Sequence, residues 1–459
     1  MASDFLAGVP LAWSEQPGEL PRRFSNRQAL EAELQRRFPE APGSLSPTRG
    51  GRHQAETLLN LIQPERYAKG RNFLNGPVTR LSPYIRHGVL TLAEVRDAVF
   101  ARTRARQGSE KLINELGWRD YWQRLWQQLG TGIWRDQEAL KTGHRAAAYA
   151  DALPADIREG STGLACMDDF IAELHHSGWL HNHARLWLAA YLVHWRRIRW
   201  QVGAQWFLRH LLDGDPASNN LSWQWVASSF SHKPYVFNRA NLERYSNGSF
   251  CRSCERHQQG CPFEASYEEL TAELFKPLPS SREQNTQELN SRELSNGGAK
   301  SLTFSRPILW IHGDGLGQAN PALVAHPGQP ALYVFDTELL AGRSPTTGDP
   351  TNKAEPVSLK RIGFLYECLL ELPISLRQGD VAAEVLGFAR SHGGDGIITS
   401  ASVDPRMAAI CQTLEQHLPV QVLAGEPFVQ LDREPDLGRF SRYWRHAEAK
   451  VWAQWSPPQ

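Results

Sequence analysis

The sequence predicts a multidomain protein, with an all-α domain over residues 51–276 followed by a Rossmann-like α/β domain over residues 304–459. Three observations carry this expectation. The chain has 459 residues, more than twice the usual length of one domain. Residues 51–275 repeat apolar positions at three- and four-residue spacing, as at Leu186, Ala189, Ala190 and Val193, and alternating β-branched runs are scarce. Beyond residue 303 short apolar runs alternate with helical stretches, the pattern of a parallel, doubly wound sheet.

Residues 1–50 form an N-terminal segment bearing Pro, Gly and Ser, with one helical stretch at Arg27–Arg37. Residues 277–303 are polar and poor in aromatics, which reads as an exposed linker. In the last part ILWIH, ALYVF, GIITS and VQVLA read as strands, and 359–372 and 407–417 as helices. No apolar run reaches the roughly eighteen residues that a membrane helix needs. The first residues lack a basic stretch followed by a long apolar core, so the cytoplasm is the expected compartment.

The formal net charge of +1 excludes nothing, but residues 51–276 carry a mild excess of Lys and Arg that suits a phosphate-bearing partner. Of 16 tryptophans, 12 precede residue 226, several of them in short motifs with Arg, Asn and Asp. A core alone rarely interleaves indoles with charge.

Four such motifs stand in the helical part. The first is Tyr67-x3-Arg71, followed by Thr79-Arg80-Leu81-Ser82-Pro83-Tyr84. A hydroxyl-rich turn entering a helix offers free amides and a positive dipole end to a diphosphate, although Ser and Thr there also serve as plain helix caps. In the second, Asn114 to Tyr121, helical spacing puts Glu115, Trp118 and Arg119 on one face; a solvated face with one buried Trp is the alternative. The third, Ser177 to Arg185, sets Asn182 and Arg185 three residues apart. The fourth is Asp213-Gly214-Asp215-Pro216-Ala217-Ser218-Asn219-Asn220, then Trp223-Gln224-Trp225. Its two acids could hold a metal, cap a helix, or accept from a sugar or an imide.

Together TxRLSPY, NELxWRDY, GWLHNxxR and DGDxASNNxxWQW resemble the photolyase/cryptochrome family, in that family's order and over residues 51–245. The resemblance implies a helical FAD-binding domain. Thr79, Arg80, Leu81 and Ser82 would hold the FAD diphosphate, and Tyr67, Trp118 and Arg119 would line the cofactor or DNA-facing cavity. Asp213 and Asp215 would meet the isoalloxazine edge and the ribose, with Arg185 paired to Asp213 and Asn219 facing flavin N5. An amide at that last position cannot titrate, which is the photolyase-like choice.

The resemblance further implies light-driven repair of UV-damaged DNA by electron transfer from reduced FAD. Glu115 and Asn182 match residues that hydrogen-bond a cyclobutane pyrimidine dimer, and Trp118 and Trp225 match its apolar wall. Trp223 and Trp200 match the inner two members of the family's electron-transfer chain. The outer one is absent, because the sequence there reads Ala146-Ala147-Ala148-Tyr149; either Tyr149 substitutes or the chain exits elsewhere. His183 stands where cyclobutane-type enzymes carry a phosphate-contacting Arg, Leu186 replaces a Met, and the stretch after Pro234-Tyr235 is short and lacks its Arg. Asn182, rather than His, argues against a (6-4) photolyase. A cryptochrome-like blue-light sensor without repair activity is the rival reading.

Cys251-x2-Cys254-x6-Cys261 places three thiols in one loop, a spacing suited to a four-coordinate metal. It resembles the C-terminal cysteines of the family's iron–sulfur bacterial branch, whose fourth ligand matches Cys166 here. A [4Fe–4S] cluster on Cys166, Cys251, Cys254 and Cys261 is expected, with zinc and His257 as the alternative. Cys368 and Cys411 read as core. In the α/β part, Trp310-x3-Asp314 and Asn320-Pro321-Ala322-Leu323 resemble the start of the family's antenna domain, which here follows the flavin domain, a permuted order. The arginines that normally flank this motif are missing, which counts against a bound antenna chromophore; a structural domain that lost its pigment fits equally well.

Overall fold

The computed structural model describes residues 18–276, 302–343 and 356–456. The first seventeen residues and nearly all of the expected linker at 277–303 lie outside the described residues.

The helices that carry the site are α1 (Arg27–Arg37), α2 (Ser82–Arg86), α3 (Arg106–Leu129), α4 (Ala165–Ser177), α5 (Asn182–Ala190), α6 (Trp200–His210) and α7 (Pro216–Ala227). Local chemistry sets their ends. The Asn26 side chain caps α1, and Asp215 caps α7 with Pro216 in its first turn, where a missing N–H costs nothing. The periodicity read over 184–195 resolves into α5 and one π-helical turn at Tyr191–Trp195.

The second part is a five-stranded, all-parallel sheet of β1 (Pro307–Ile311), β2 (Ala331–Asp336), β3 (Ser375–Gly379), β4 (Gly396–Ser400) and β5 (Val420–Leu423), in the order β3-β2-β1-β4-β5. Helix α8 (Leu359–Leu370) precedes β3, and α9 (Phe440–Trp452) is the last helix described. β1 and β4 are buried along their whole length, as strands covered on both faces must be. The four apolar runs became β1, β2, β4 and β5. β3 was not foreseen, because its Arg377, Gln378 and Gly379 leave too short an apolar run.

The two parts share one hydrophobic core, in which Leu112, Leu116 and Trp126 join Leu309, Leu365 and Trp444. The N-terminal segment packs against the sheet part: the Leu20 N–H donates to the Leu376 carbonyl, and Arg22 donates to the carbonyls of Leu369, Leu370, Leu372 and Ile374. Where the turn after α2 meets the turn after β1, the Leu316 N–H donates to the His87 carbonyl at 2.7 Å and Arg86 pairs with Asp314. Gly88 lies in this seam with φ +61°, and a Cβ there would collide with the Asp314 carbonyl oxygen. Gly88→Ala should therefore cost about 1–3 kcal/mol, from left-handed strain plus overpacking. A lowered midpoint in thermal or urea unfolding checks this, and an unchanged midpoint would mean that the seam yields.

Candidate active site

The site grows from the turn between α6 and α7. Asp213 is 7% exposed. Its Oδ2 accepts from Arg185 Nη2 at 2.9 Å, while Arg185 Nε donates to the Leu180 carbonyl at 3.0 Å. Burial alone would raise the Asp213 pKa, but Arg185, the Ser82 hydroxyl and Arg119 outweigh it and hold the carboxyl below the usual range. Asp213 Oδ1 is buried without a hydrogen-bond partner among the described residues, so one acceptor of a fixed carboxylate is left free for a donor.

Asp215 is differently employed. Its oxygens accept from Ser218 N–H and Oγ at 3.0 and 2.7 Å and from Gln123 Nε2 at 3.0 Å. Burial opposes its ionisation; Arg119, Arg86 and the Ser218 donors prevail and keep its pKa low. Arg119 lies near both acids, and burial lowers its pKa. Asn219 Nδ2 donates to the Ala204 carbonyl and to Asn220 Oδ1, both at 3.0 Å.

In the hydroxyl-rich turn Thr79 Oγ1 accepts from the Leu81 N–H at 3.4 Å, and Leu81 is buried. Arg80 adopts φ +54°, uncommon outside glycine, and its guanidinium lies 4.2 Å from the Trp179 ring centroid. Ser82 opens α2 and reaches Asp213. The donor set places a free carboxylate oxygen beside a hydroxyl-bearing turn at a helix start, groups that suit a hydrogen-bond donor and a phosphate.

On α3, Glu115 accepts from Arg71 Nε at 3.3 Å. Burial and then Glu115 push the Tyr67 phenol upward, so it stays protonated. Asn182 is exposed at the start of α5, and neighbouring His183 meets the Asn72 carbonyl through Nδ1 at 2.9 Å. The Arg71–Asn72 turn thus links the Glu115 and Asn182 neighbourhoods. Trp118 stacks flat on Phe440 of α9, with centroids 3.8 Å apart. Trp225 is 38% exposed, beside Tyr235 at 5.4 Å.

Trp200 and Trp223 are buried in one helical core that also holds Tyr149. Trp200 Nε1 donates to Asp136 Oδ1 at 2.6 Å, and Trp223 packs edge-on against Phe207 at 5.0 Å. Tyr149 is 5% exposed and shares a 2.8 Å hydrogen bond with Thr142.

The four cysteines, up to 95 positions apart, line one small cavity of about 10 Å³ together with His257. Burial and then mutual charge raise the Cys166 thiol far above its ordinary value; burial and Glu243 push Cys251 up to about 12. Among the described residues no group of three or more His, Cys, Asp or Glu is arranged to hold a metal ion. The thiols and His257 are donor types that suit a cluster or a zinc ion.

A larger cavity of about 490 Å³ lies between helices and sheet. Trp310 and Asp314 of the antenna-like motif line it, with Arg86, Arg209, Arg361 and Arg406. Guanidinium groups absent from the motif are thus supplied from other segments, which local spacing could not reveal.

Residues 112–254 match the FAD binding domain of DNA photolyase. Over that stretch the chain is similar to photolyases and cryptochromes. A deoxyribodipyrimidine photo-lyase of Streptomyces griseus is 34% identical over 192 residues, 40% of this chain and 41% of that protein. A putative mitochondrial cryptochrome DASH of Neurospora crassa is 30% identical over 235 residues, 41% of this chain and 32% of that protein. A bacterial class III photolyase structure from Agrobacterium tumefaciens shows 27% identity over 50% of this chain and 52% of its own, with a TM-score of 0.38. The chain thus spans about two-fifths of the length of the first curated relatives it matches.

In an FAD-binding domain the Arg185–Asp213 pair is the feature to test first. Asp213→Ala leaves a largely buried guanidinium uncompensated, a change worth about 3–5 kcal/mol when burial is complete and less here, where Arg185 keeps 22% side-chain exposure. The variant should purify with much less bound flavin, measured by its visible absorption after denaturation. Full flavin occupancy would exclude this pair from the cofactor site.

Proposed function

We propose that the protein repairs cyclobutane pyrimidine dimers in DNA in a light-driven reaction that depends on reduced FAD. The observation that carries this reading is the buried Arg185–Asp213 pair with its free carboxylate oxygen, in a chain where Arg71 holds Glu115, Trp118 is partly buried and Asn182 is exposed. When bound, reduced FAD supplies the excited electron that splits the dimer. The chain's own residues do the rest. Arg185 and Asp213 hold a fixed cation and anion in a poorly hydrated place, where charge coupling is strong. Glu115, steadied by Arg71, can accept from a pyrimidine N3–H, and the Asn182 amide offers both a donor and an acceptor. Trp118 and Trp225 give the flipped bases a flat apolar surface, and a distorted lesion leaves the stack more cheaply than an intact base.

A second reading, a blue-light sensor that has kept this pocket, is favoured by one observation. His183, standing where a phosphate-binding Arg is expected, is stacked on Trp187 at 4.2 Å, and burial lowers its pKa. One assay separates the two. Purified, chemically reduced protein under blue light should convert a synthetic thymine dimer in an oligonucleotide to intact thymines. Photoreduction of the oxidised flavoprotein, with no repair by the reduced form, would favour the sensor.

The cysteine site we assign to a [4Fe–4S] cluster, supported by four thiols converging from α4 and a distant loop. Buried thiolates near one another need a cation to offset their charge, and ligation would supply it. Anaerobically purified protein should contain about four irons and four sulfides per chain, and Cys166→Ala should lower both. Stoichiometric zinc without sulfide would replace the cluster with a mononuclear site.

A further inference from the structure

Helix α9 has no place in the reading above, yet it is bolted to the helix that carries Glu115 and Trp118. Trp444 lies over Gly117, where any Cβ would collide with its ring. The Tyr443 hydroxyl hydrogen-bonds Asp120 at 2.6 Å, the Tyr121 hydroxyl donates to the Leu437 carbonyl at 2.8 Å, and Arg124 donates to the Val429 carbonyl at 3.1 Å. So anchored, the segment brings Phe440 flat against Trp118, with ring planes 10° apart, and Trp118 lies 5.1 Å from Trp122. Trp118 and Phe440 are both only partly buried.

The same helix start is basic. Arg439, Arg442 and Arg445 recur every third residue and are all exposed, so they form one stripe. Asp436 takes Arg442 at 3.1 Å, whereas Arg439 and Arg445 have no ion pair among the described residues. Arg439 also meets His232, next to exposed Lys233. Meanwhile the His183 ring is engaged by the Asn72 carbonyl and burial lowers its pKa, so it contributes no fixed positive charge.

Resting on the repair reading, we propose that the C-terminal helix belongs to the DNA site: Phe440 extends the aromatic wall at Trp118, and Arg439 receives a phosphate flanking the lesion. A phosphate contact that is missing at residue 183 is thereby supplied from the other end of the chain. Flat aromatic surface gives sequence-tolerant base stacking, and an exposed guanidinium beside it positions the backbone.

The test is dark binding of the flavin-loaded full chain to a fluorescent oligonucleotide bearing one synthetic thymine dimer, and to its undamaged twin. Phe440→Ala should lower affinity for the damaged strand about tenfold, with Phe440→Tyr restoring it and bound flavin and melting temperature recorded for each variant. Arg439→Ala should weaken binding to both oligonucleotides and reduce the slope of log affinity against log salt by about one. If the wild type prefers the dimer and both alanine variants keep its affinity and salt slope, the helix is not part of the site. Tighter binding by Phe440→Ala would make the helix a cover over the wall and overturn the proposal. A wild type with no preference for the dimer would sink the repair reading, and this inference with it, before any variant is compared.

Discussion

Two carboxylates two residues apart, Asp213 and Asp215, must both stay ionised in a buried turn, and the rest of the site is arranged around that demand. Each acid is met from a different direction. Arg185 answers Asp213 at 2.9 Å, while Gln123, Ser218 and, at 3.6 Å, Arg86 surround Asp215. Arg86 is shared onward with Asp314 of the sheet part, so the ionisation of the turn and the docking of the sheet are one electrostatic problem. Removing any partner strands a buried charge, which costs far more than the pair contributes. Gly214 between the acids is required by the same crowding: its carbonyl accepts from Arg361 at 2.8 Å, and a Cβ would press on the Arg361 guanidinium.

What was legible in the sequence is what local chemistry dictates. The helix read at 27–37 spans those residues, because Asn26 caps it and Leu30 and Leu34 face inward. The acid–glycine–acid turn was readable as a short motif, whereas the pairing of Arg185 with Asp213, distant in the chain, was expected only from the resemblance. β3 was not, since Arg377, Gln378 and Gly379 cut its apolar run short. Nor was the role of α9: nothing between residues 118 and 440 records that two rings will stack. The four gathered cysteines fall between these cases, for a loop triplet announces itself, but the partner in α4 was found only by resemblance.

The same distinction explains the antenna-like motif. Missing arginines counted against a ligand there, yet the fold brings Arg86, Arg361 and Arg406 to one cavity from three segments. Charge at such a seam belongs to no single motif. A sequence window sees only the residues of one wall.

The junction between the helical part and the sheet part is built from turns. His87 shows how tightly those turns are fitted. Its two ring nitrogens lie 3.0 and 2.9 Å from the carbonyls of Gly313 and Leu212, one on each side of the seam. Burial and then Arg86 and Arg361 drive its pKa down to about 3, so the neutral ring can donate to only one of them. The seam therefore keeps an underused acceptor while surrounding it with guanidinium groups, which suits a contact selected for position over strength. The last helix described, α9, lies against α3 on the helical side of that junction, which is why residues near 440 touch residues near 118.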